Sequence, residues 1–344
     1  MSKRPKILLI YTGGTIGMVT NPKTGALYPV DFDHILQQVP ELYRLGVNLE
    51  SITFSPVIDS SDMNPEIWAR LASIIYDNYD KYDGFVILHG TDTMSYTASA
   101  LSFMLQNLSK PVVLTGSQLP IGLIRTDAKE NLITAIEIAA AYEDESAIVP
   151  EVTVYFENKL YRGNRTTKYN AEYFNAFTSD NYPPLAKAGI NIHYNRKYIN
   201  KVKKGEFSIK TKMETNVLVL KIFPGMTPEV LYHICSTPGI KGIVLETFGY
   251  GNAPTNPEFI QILQETTKRG VIIVNVTQCR AGSVNMNSYE AGVGLLEAGI
   301  ISGFDSTTEA ALTKLMYLLA NCSDRKSVVE NIKKSIRGEI NPNL

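Results

Sequence analysis

Cysteine is scarce in this chain, and the few residues present form no framework. Cys235, Cys279 and Cys322 are an odd set without disulfide or metal-ligand spacing, which is the usage of a reducing compartment. Charge of one sign is also missing. Against 33 basic residues stand 34 acidic ones, for a net charge of -1, so no basic excess draws nucleic acid or an anionic membrane. No stretch approaches the ~18 apolar residues of a membrane span. The opening MSKRPK precedes an apolar run too short for a signal peptide. The expected location is therefore cytoplasmic. Three motifs are lacking too: a nucleophile elbow, a P-loop and a dinucleotide fingerprint. No metal-ligand cluster appears, and neither metal nor cofactor is expected.

What is present is an ordinary globular composition, 44% hydrophobic and 19% charged over 344 residues, enough for two domains. Strands alternate with helices. Apolar runs at Ile7–Ile10, Ile52–Val57, Gly84–Leu88, Val112–Leu114 and Val152–Phe156 read as strands. Between them lie helical patterns over Asp31–Leu45, from Asn64-Pro65-Glu66, from Met94 and over Asp127–Tyr142. This is an α/β protein, with a larger, doubly wound, mainly parallel N-terminal sheet domain over 1–185. From Asn181 the rhythm breaks, with Pro183-Pro184 and many polar residues, and residues 186–215 read as an interdomain connection with one strand pair. A smaller α/β domain occupies 216–344. Within it Ser306-Thr307-Thr308-Glu309 resembles a capping box, and a last amphipathic helix spans Asp324–Arg337.

Polar groups gather where the strands end. Thr12-Gly13-Gly14-Thr15 follows the first strand. Adjacent glycines permit positive φ and close backbone approach, holding a hydroxyl on a tight turn. Asp59-Ser60-Ser61-Asp62 follows the second strand, His89-Gly90-Thr91-Asp92 the third, Thr115-Gly116-Ser117-Gln118 the fourth, and the stretch from Glu157 to Lys168 the fifth. In a parallel sheet these ends share one edge, where ligands bind. His89 reads as a satisfied core histidine, and Asp92 as either a helix N-cap or a holder of a substrate ammonium.

A threonine hydroxyl attacks a carbonyl when a base takes its proton. A lysine serves as that base where burial lowers its pKa. Glycine-turn N–H groups form an oxyanion hole. Together these residue types suggest acyl transfer from an amide.

The two stretches Thr12-Gly13-Gly14-Thr15-Ile16-Gly17 and His89-Gly90-Thr91-Asp92-Thr93 resemble the signature motifs of the bacterial-type L-asparaginases. The likeness runs over nearly the whole chain, and LYRGNRTTK (160–168) with VTQC (276–279) is most similar to the cytoplasmic type I branch. It implies hydrolysis of L-asparagine to L-aspartate and ammonia through an acyl-threonine. L-Glutamine is the candidate weak substrate, since one methylene in a small pocket is worth only ~1–3 kcal/mol. Thr15 matches the nucleophile and Tyr28 the loop tyrosine that closes over the substrate. Thr91, Asp92 and Lys168 match the second catalytic group. Asp59, Ser60, Ser61, Asp92 and Ser117 match the substrate-holding positions, and Asn252 is the candidate contribution from a neighbouring subunit of a homodimer or homotetramer. Thr167 and Cys279 fit the effector site of members activated by asparagine. Glu246 stands where those members carry a base, so weak or absent activation is expected.

Overall fold

The computed structural model describes residues 4–20, 27–29, 38–202, 204–288 and 290–342. The chain divides into two compact units, Met1–Thr211 and Lys212–Leu344.

The first unit is built on an eight-stranded sheet. Its strands are β1 (Lys6–Tyr11), β2 (Asn48–Thr53), β3 (Gly84–Leu88), β4 (Val112–Thr115), β5 (Val152–Phe156), β6 (Lys159–Arg162), β7 (Ala186–Ala188) and β8 (Ile192–Tyr194). The first five are parallel in the order β2-β1-β3-β4-β5. Strands β6, β7 and β8 extend the β5 side antiparallel. The central strands are apolar on both faces and wholly buried, as a sheet covered on two sides requires. Strand β2 is at the edge and half exposed. It starts and ends four residues before the run expected at Ile52–Val57. Its register is set by pairing Asn48–Thr53 with Lys6–Tyr11, and Pro56 has no N–H to continue a ladder.

Helix α1 (Pro65–Asn78) starts where expected. The Asn64 side chain accepts from the N–H groups of Glu66 and Ile67, and Pro65 fills the first turn. Helix α2 (Met94–Met104) is buried along almost its whole length, and α3 (Ala128–Ala139) packs Leu132, Ala135 and Ile136 into the core with Ile7, Leu9 and Tyr11. Of the helix expected over Asp31–Leu45, residues 31–37 lie outside the described residues, and Pro40–Arg44 form a 3-10 helix.

One element had no expectation and one expectation needs correction. After Phe156, Glu157 and Asn158, at φ 42° and 64°, make a two-residue turn into β6. Residues 186–194 are not only a connection, since β7 and β8 complete the large sheet.

The second unit has a four-stranded parallel sheet in sequence order: β9 (Val217–Lys221), β10 (Gly242–Thr247), β11 (Ile272–Thr277) and β12 (Ile301–Ser302). Helices α4 (Pro228–Cys235), α5 (Pro257–Lys268), α6 (Glu290–Glu297), α7 (Thr308–Asn321) and α8 (Arg325–Ile332) accompany it. Leu220, Ile243, Leu245, Phe259, Leu263 and Ile273 share its core. The expected capping box is not formed, because Thr307 rather than Ser306 is the N-cap of α7. Helix α8 ends at Ile332, short of the expected Arg337. Beyond it the chain places Glu339 in the interior, 2.6 Å from Lys314. No described helix is long and apolar enough to cross a membrane.

Candidate active site

Strand order reverses beside β1, with β2 on one side and β3 on the other. Open parallel sheets bind ligands outside the carboxyl ends of the strands at such a point. The loops after β1 and β3 are Thr12–Thr15 and His89–Asp92, the two motifs that stood out in the sequence.

These loops meet without side chains between them. Gly14 has φ 89°, and a Cβ placed on it would stand 2.5 Å from the Cα and N of Gly90. A Cβ on Gly13, at φ 135°, would meet the Ile58 carbonyl at 2.2 Å, and one on Gly90 the Ser60 hydroxyl at 2.6 Å. The loop after β1 is thereby packed backbone on backbone against the loops after β2 and β3, a closeness only glycine allows.

The two threonines of the first motif are put to different uses. Thr12 is fully buried, and both its hydroxyl and its N–H donate to the Leu88 carbonyl, at 2.9 and 3.0 Å. Thr15 opens a 3-10 helix, Thr15–Gly17, and is partly exposed. Among the described residues, no hydrogen-bond partner meets its hydroxyl.

Across the Gly14–Gly90 contact lies a connected polar cluster. The Lys168 Nζ donates to the Thr91 hydroxyl at 2.7 Å and to Asp92 Oδ1 at 2.6 Å. Thr91 in turn donates to Gln118 Oε1 at 3.2 Å. Asp92 therefore pairs with the lysine and is not the cap of α2, whose N-cap is Thr93. Contrary to the expectation, Lys168 does not come from a strand end of the large sheet. Strand β6 runs back antiparallel, the following residues pack against α2, and Lys168 lies in a two-strand ladder of Thr167–Lys168 with Phe177–Thr178.

The remaining strand-end residues support one another. The Asp59 carboxylate accepts from the N–H and hydroxyl of Ser61, at 2.9 and 2.7 Å, and these bonds lower its pKa. Ser60 is buried, and its carbonyl accepts from the Thr93 hydroxyl at 2.6 Å. The Ser117 hydroxyl donates to the Leu119 carbonyl at 2.6 Å. Sequence reasoning missed Gln118 and Asp127. Asp127 accepts from the N–H groups of Gln118 and Leu119 and so shapes the Ser117–Gln118 loop. Burial raises its pKa, and those N–H bonds work against the rise. The signal available was position, since Gln118 directly follows the Thr-Gly-Ser strand end.

His89 is wholly buried, and burial pushes its pKa down to about 4. It is a neutral core histidine, as its strand-end position suggested.

The other candidates are Tyr28 and Thr167 in the first unit and Asn252, Cys279 and Glu246 in the second. The backbone of Leu27–Pro29 pairs with Met18–Thr20, but the Tyr28 side chain lies outside the described residues. In the second unit Asn252 closes a tight loop, its N–H donating to the Phe248 carbonyl at 2.8 Å. Cys279 is exposed there, its N–H donating to the Thr277 hydroxyl. Thr167 belongs to the first unit. Glu246 accepts from the Thr308 hydroxyl at 2.5 Å, at the start of α7. Among the described residues, no group of three or more His, Cys, Asp or Glu converges as a metal site.

Known proteins resemble the chain over its full length. Residues 6–200 match the family model for the asparaginase N-terminal domain, and residues 216–331 that for the glutaminase/asparaginase C-terminal domain. L-asparaginase 1 of Escherichia coli K12 is 44% identical, over 99% of each chain. The crystal structure of L-asparaginase I from Vibrio cholerae superposes with a TM-score of 0.90 at 44% identity, covering 98% of this chain and 100% of that one. The thermostable L-asparaginase of Thermococcus kodakarensis gives 0.89 at 36% identity, covering 98% and 99%.

Proposed function

The chain belongs to the asparaginase family, and from that premise we propose that it hydrolyses L-asparagine to L-aspartate and ammonia through an acyl-threonine. The Thr15 Oγ1 attacks the side-chain amide carbon, and its proton leaves to a neighbouring base. The C–N bond then breaks as ammonia departs, and water hydrolyses the ester to release aspartate and restore Thr15. We assign Thr91 and Lys168 to proton removal, from Thr15 or from the attacking water, and Asp92 to orienting Lys168 and holding the substrate ammonium. N–H groups along the glycine turns are the donors for the developing oxyanion. Asp59, Ser60, Ser61 and Ser117 hold the α-amino and α-carboxyl groups, and Tyr28 helps to activate Thr15.

One observation carries this reading. The Gly14–Gly90 contact joins the turn bearing Thr15, whose hydroxyl meets no partner among the described residues, to the loop bearing Thr91 and Asp92, with Lys168 bonded to Thr91 and Asp92.

L-Glutamine is the weak second substrate, because one methylene is worth only ~1–3 kcal/mol in a small pocket. The protein works in the cytoplasm as a homodimer or homotetramer, with Asn252 of a neighbouring subunit completing the site and Thr167 and Cys279 facing any effector. These assignments rest on the family resemblance.

The test is ammonia release from L-asparagine and L-glutamine by the wild type and by Thr15→Ala. Turnover of asparagine that disappears in a folded Thr15→Ala protein is expected. A folded wild type without turnover would overturn the proposal in favour of an amino-acid-binding protein on the same fold.

A further inference from the structure

His89 sits directly before the Gly90–Thr91 peptide and touches it. Its Nδ1 is 2.6 Å from the Gly90 carbonyl oxygen. A carbonyl only accepts, so Nδ1 carries the proton. In the neutral ring Nε2 is then an acceptor, and the Thr97 hydroxyl, 2.8 Å away, donates to it. The oxygen of that hydroxyl still accepts from the Trp68 indole N–H at 3.0 Å. Each donor in this series has one acceptor. A buried chain thus runs from α1 through α2 to the second motif and allows one tautomer only.

That tautomer has a consequence for the site. The one cis peptide bond in the described residues is Ser55–Pro56, so Gly90–Thr91 is trans and its C=O and N–H point to opposite sides. With the carbonyl held toward the buried imidazole, the Thr91 N–H is turned the other way. Among the described residues, no acceptor meets that N–H, although Thr91 is mostly buried. An enclosed N–H left without a protein acceptor is available to a ligand.

We infer that His89 is a positioning residue, which clamps the Gly90 carbonyl so that the Thr91 N–H is aimed at the oxyanion of the acyl-transfer step. The inference deepens the amidohydrolase reading and rests on it. Burial supports the assignment by keeping the ring neutral, the state in which this tautomer exists. His89 takes no proton from substrate. It sets a dipole in advance, which is how preorganised donors lower a barrier.

Two measurements test this. The first is the tautomer itself, by 15N NMR of histidine-labelled wild type, in which only four histidines contribute. A protonated Nδ1 and bare Nε2 are expected for His89, and the reverse tautomer would overturn the clamp. This readout needs no turnover, so it stands apart from any failure of the asparaginase reading.

The second is kinetic. His89→Leu and the near-isosteric Thr97→Val should lower kcat for L-asparagine by about 10–100-fold and about 3–10-fold, with KM changed by less than about twofold. Loss of a full oxyanion donor costs about 100–1000-fold, and a misaimed donor costs less. Thr97→Ser should restore the rate. A folded Thr97→Val with unchanged kcat, or an effect confined to KM, would overturn the inference even if His89→Leu fails to fold.

Discussion

Gly14 and Gly90 share a space that holds no side chain: the place of a Cβ on Gly14 is 2.5 Å from the Gly90 Cα. Substitution here should separate two kinds of damage. Gly14→Ala meets backbone and needs a left-handed conformation, so it should cost more than about 2 kcal/mol and abolish activity. Gly90→Ala meets mainly the Ser60 side chain, at 2.6 and 2.7 Å. Adding Ser60→Gly should therefore recover folding in Gly90→Ala and not in Gly14→Ala. Thermal melts of the four variants check this, and equal recovery in both backgrounds would count against the packing described.

The Lys168–Asp92 pair should matter for rate and hardly for stability. Asp92 is 69% exposed and Lys168 15%, so solvent screening leaves the pair about 1 kcal/mol or less. Asp92→Asn and Lys168→Met are expected to shift Tm by only a few degrees while lowering kcat/KM by about 100-fold or more. Calorimetry beside an ammonia assay reads both. A large loss of stability with activity preserved would reverse the assignment.

Acid should act in two windows. His89 falls from an ordinary 6.5 to about 4 on folding. Between those values the unfolded chain binds a proton that the native ring refuses, so stability drops as pH falls from 6.5 toward 4, by about 3 kcal/mol in all. For Glu339, burial alone would raise the pKa, but the Lys314 ammonium and the N–H groups of Ile336 and Arg337 outweigh it and hold the pKa below 4.5. Its stabilisation is complete above 4.5 and is lost on further acidification. Melts from pH 8 to pH 3 should show both declines, and His89→Leu should remove the first. Lys314→Met alone should cost about 3–5 kcal/mol by leaving a buried charge unpaired.

The rate curve for L-asparagine should be hyperbolic. Glu246 presents a carboxylate bonded to the Thr308 hydroxyl, and a carboxylate repels that of an amino-acid effector. Sigmoidal initial rates over a wide substrate range would refute this.

The amino-acid sequence alone determined the alternation of buried strands and capped helices. Apolar runs such as Gly84–Leu88 have no other way to be covered, and Asn64-Pro65-Glu66 starts a helix through local hydrogen bonds. It also determined which short stretches carry hydroxyls and carboxylates at strand ends. Tertiary structure decided what those groups do. Thr12 and Thr15 are alike in sequence, and only the approach of Leu88 ties down the first, while the second hydroxyl meets no partner among the described residues. Asp92 could cap a helix or pair with a cation, and the return of the chain along α2 brought Lys168 to it from 76 residues away. The hairpin at Glu157-Asn158 was hidden because two non-glycine residues adopt positive φ there. Contacts between residues far apart in the chain leave no local pattern, so the partners of Gln118, Asp127 and Lys168 became visible only when the strand order set their loops side by side.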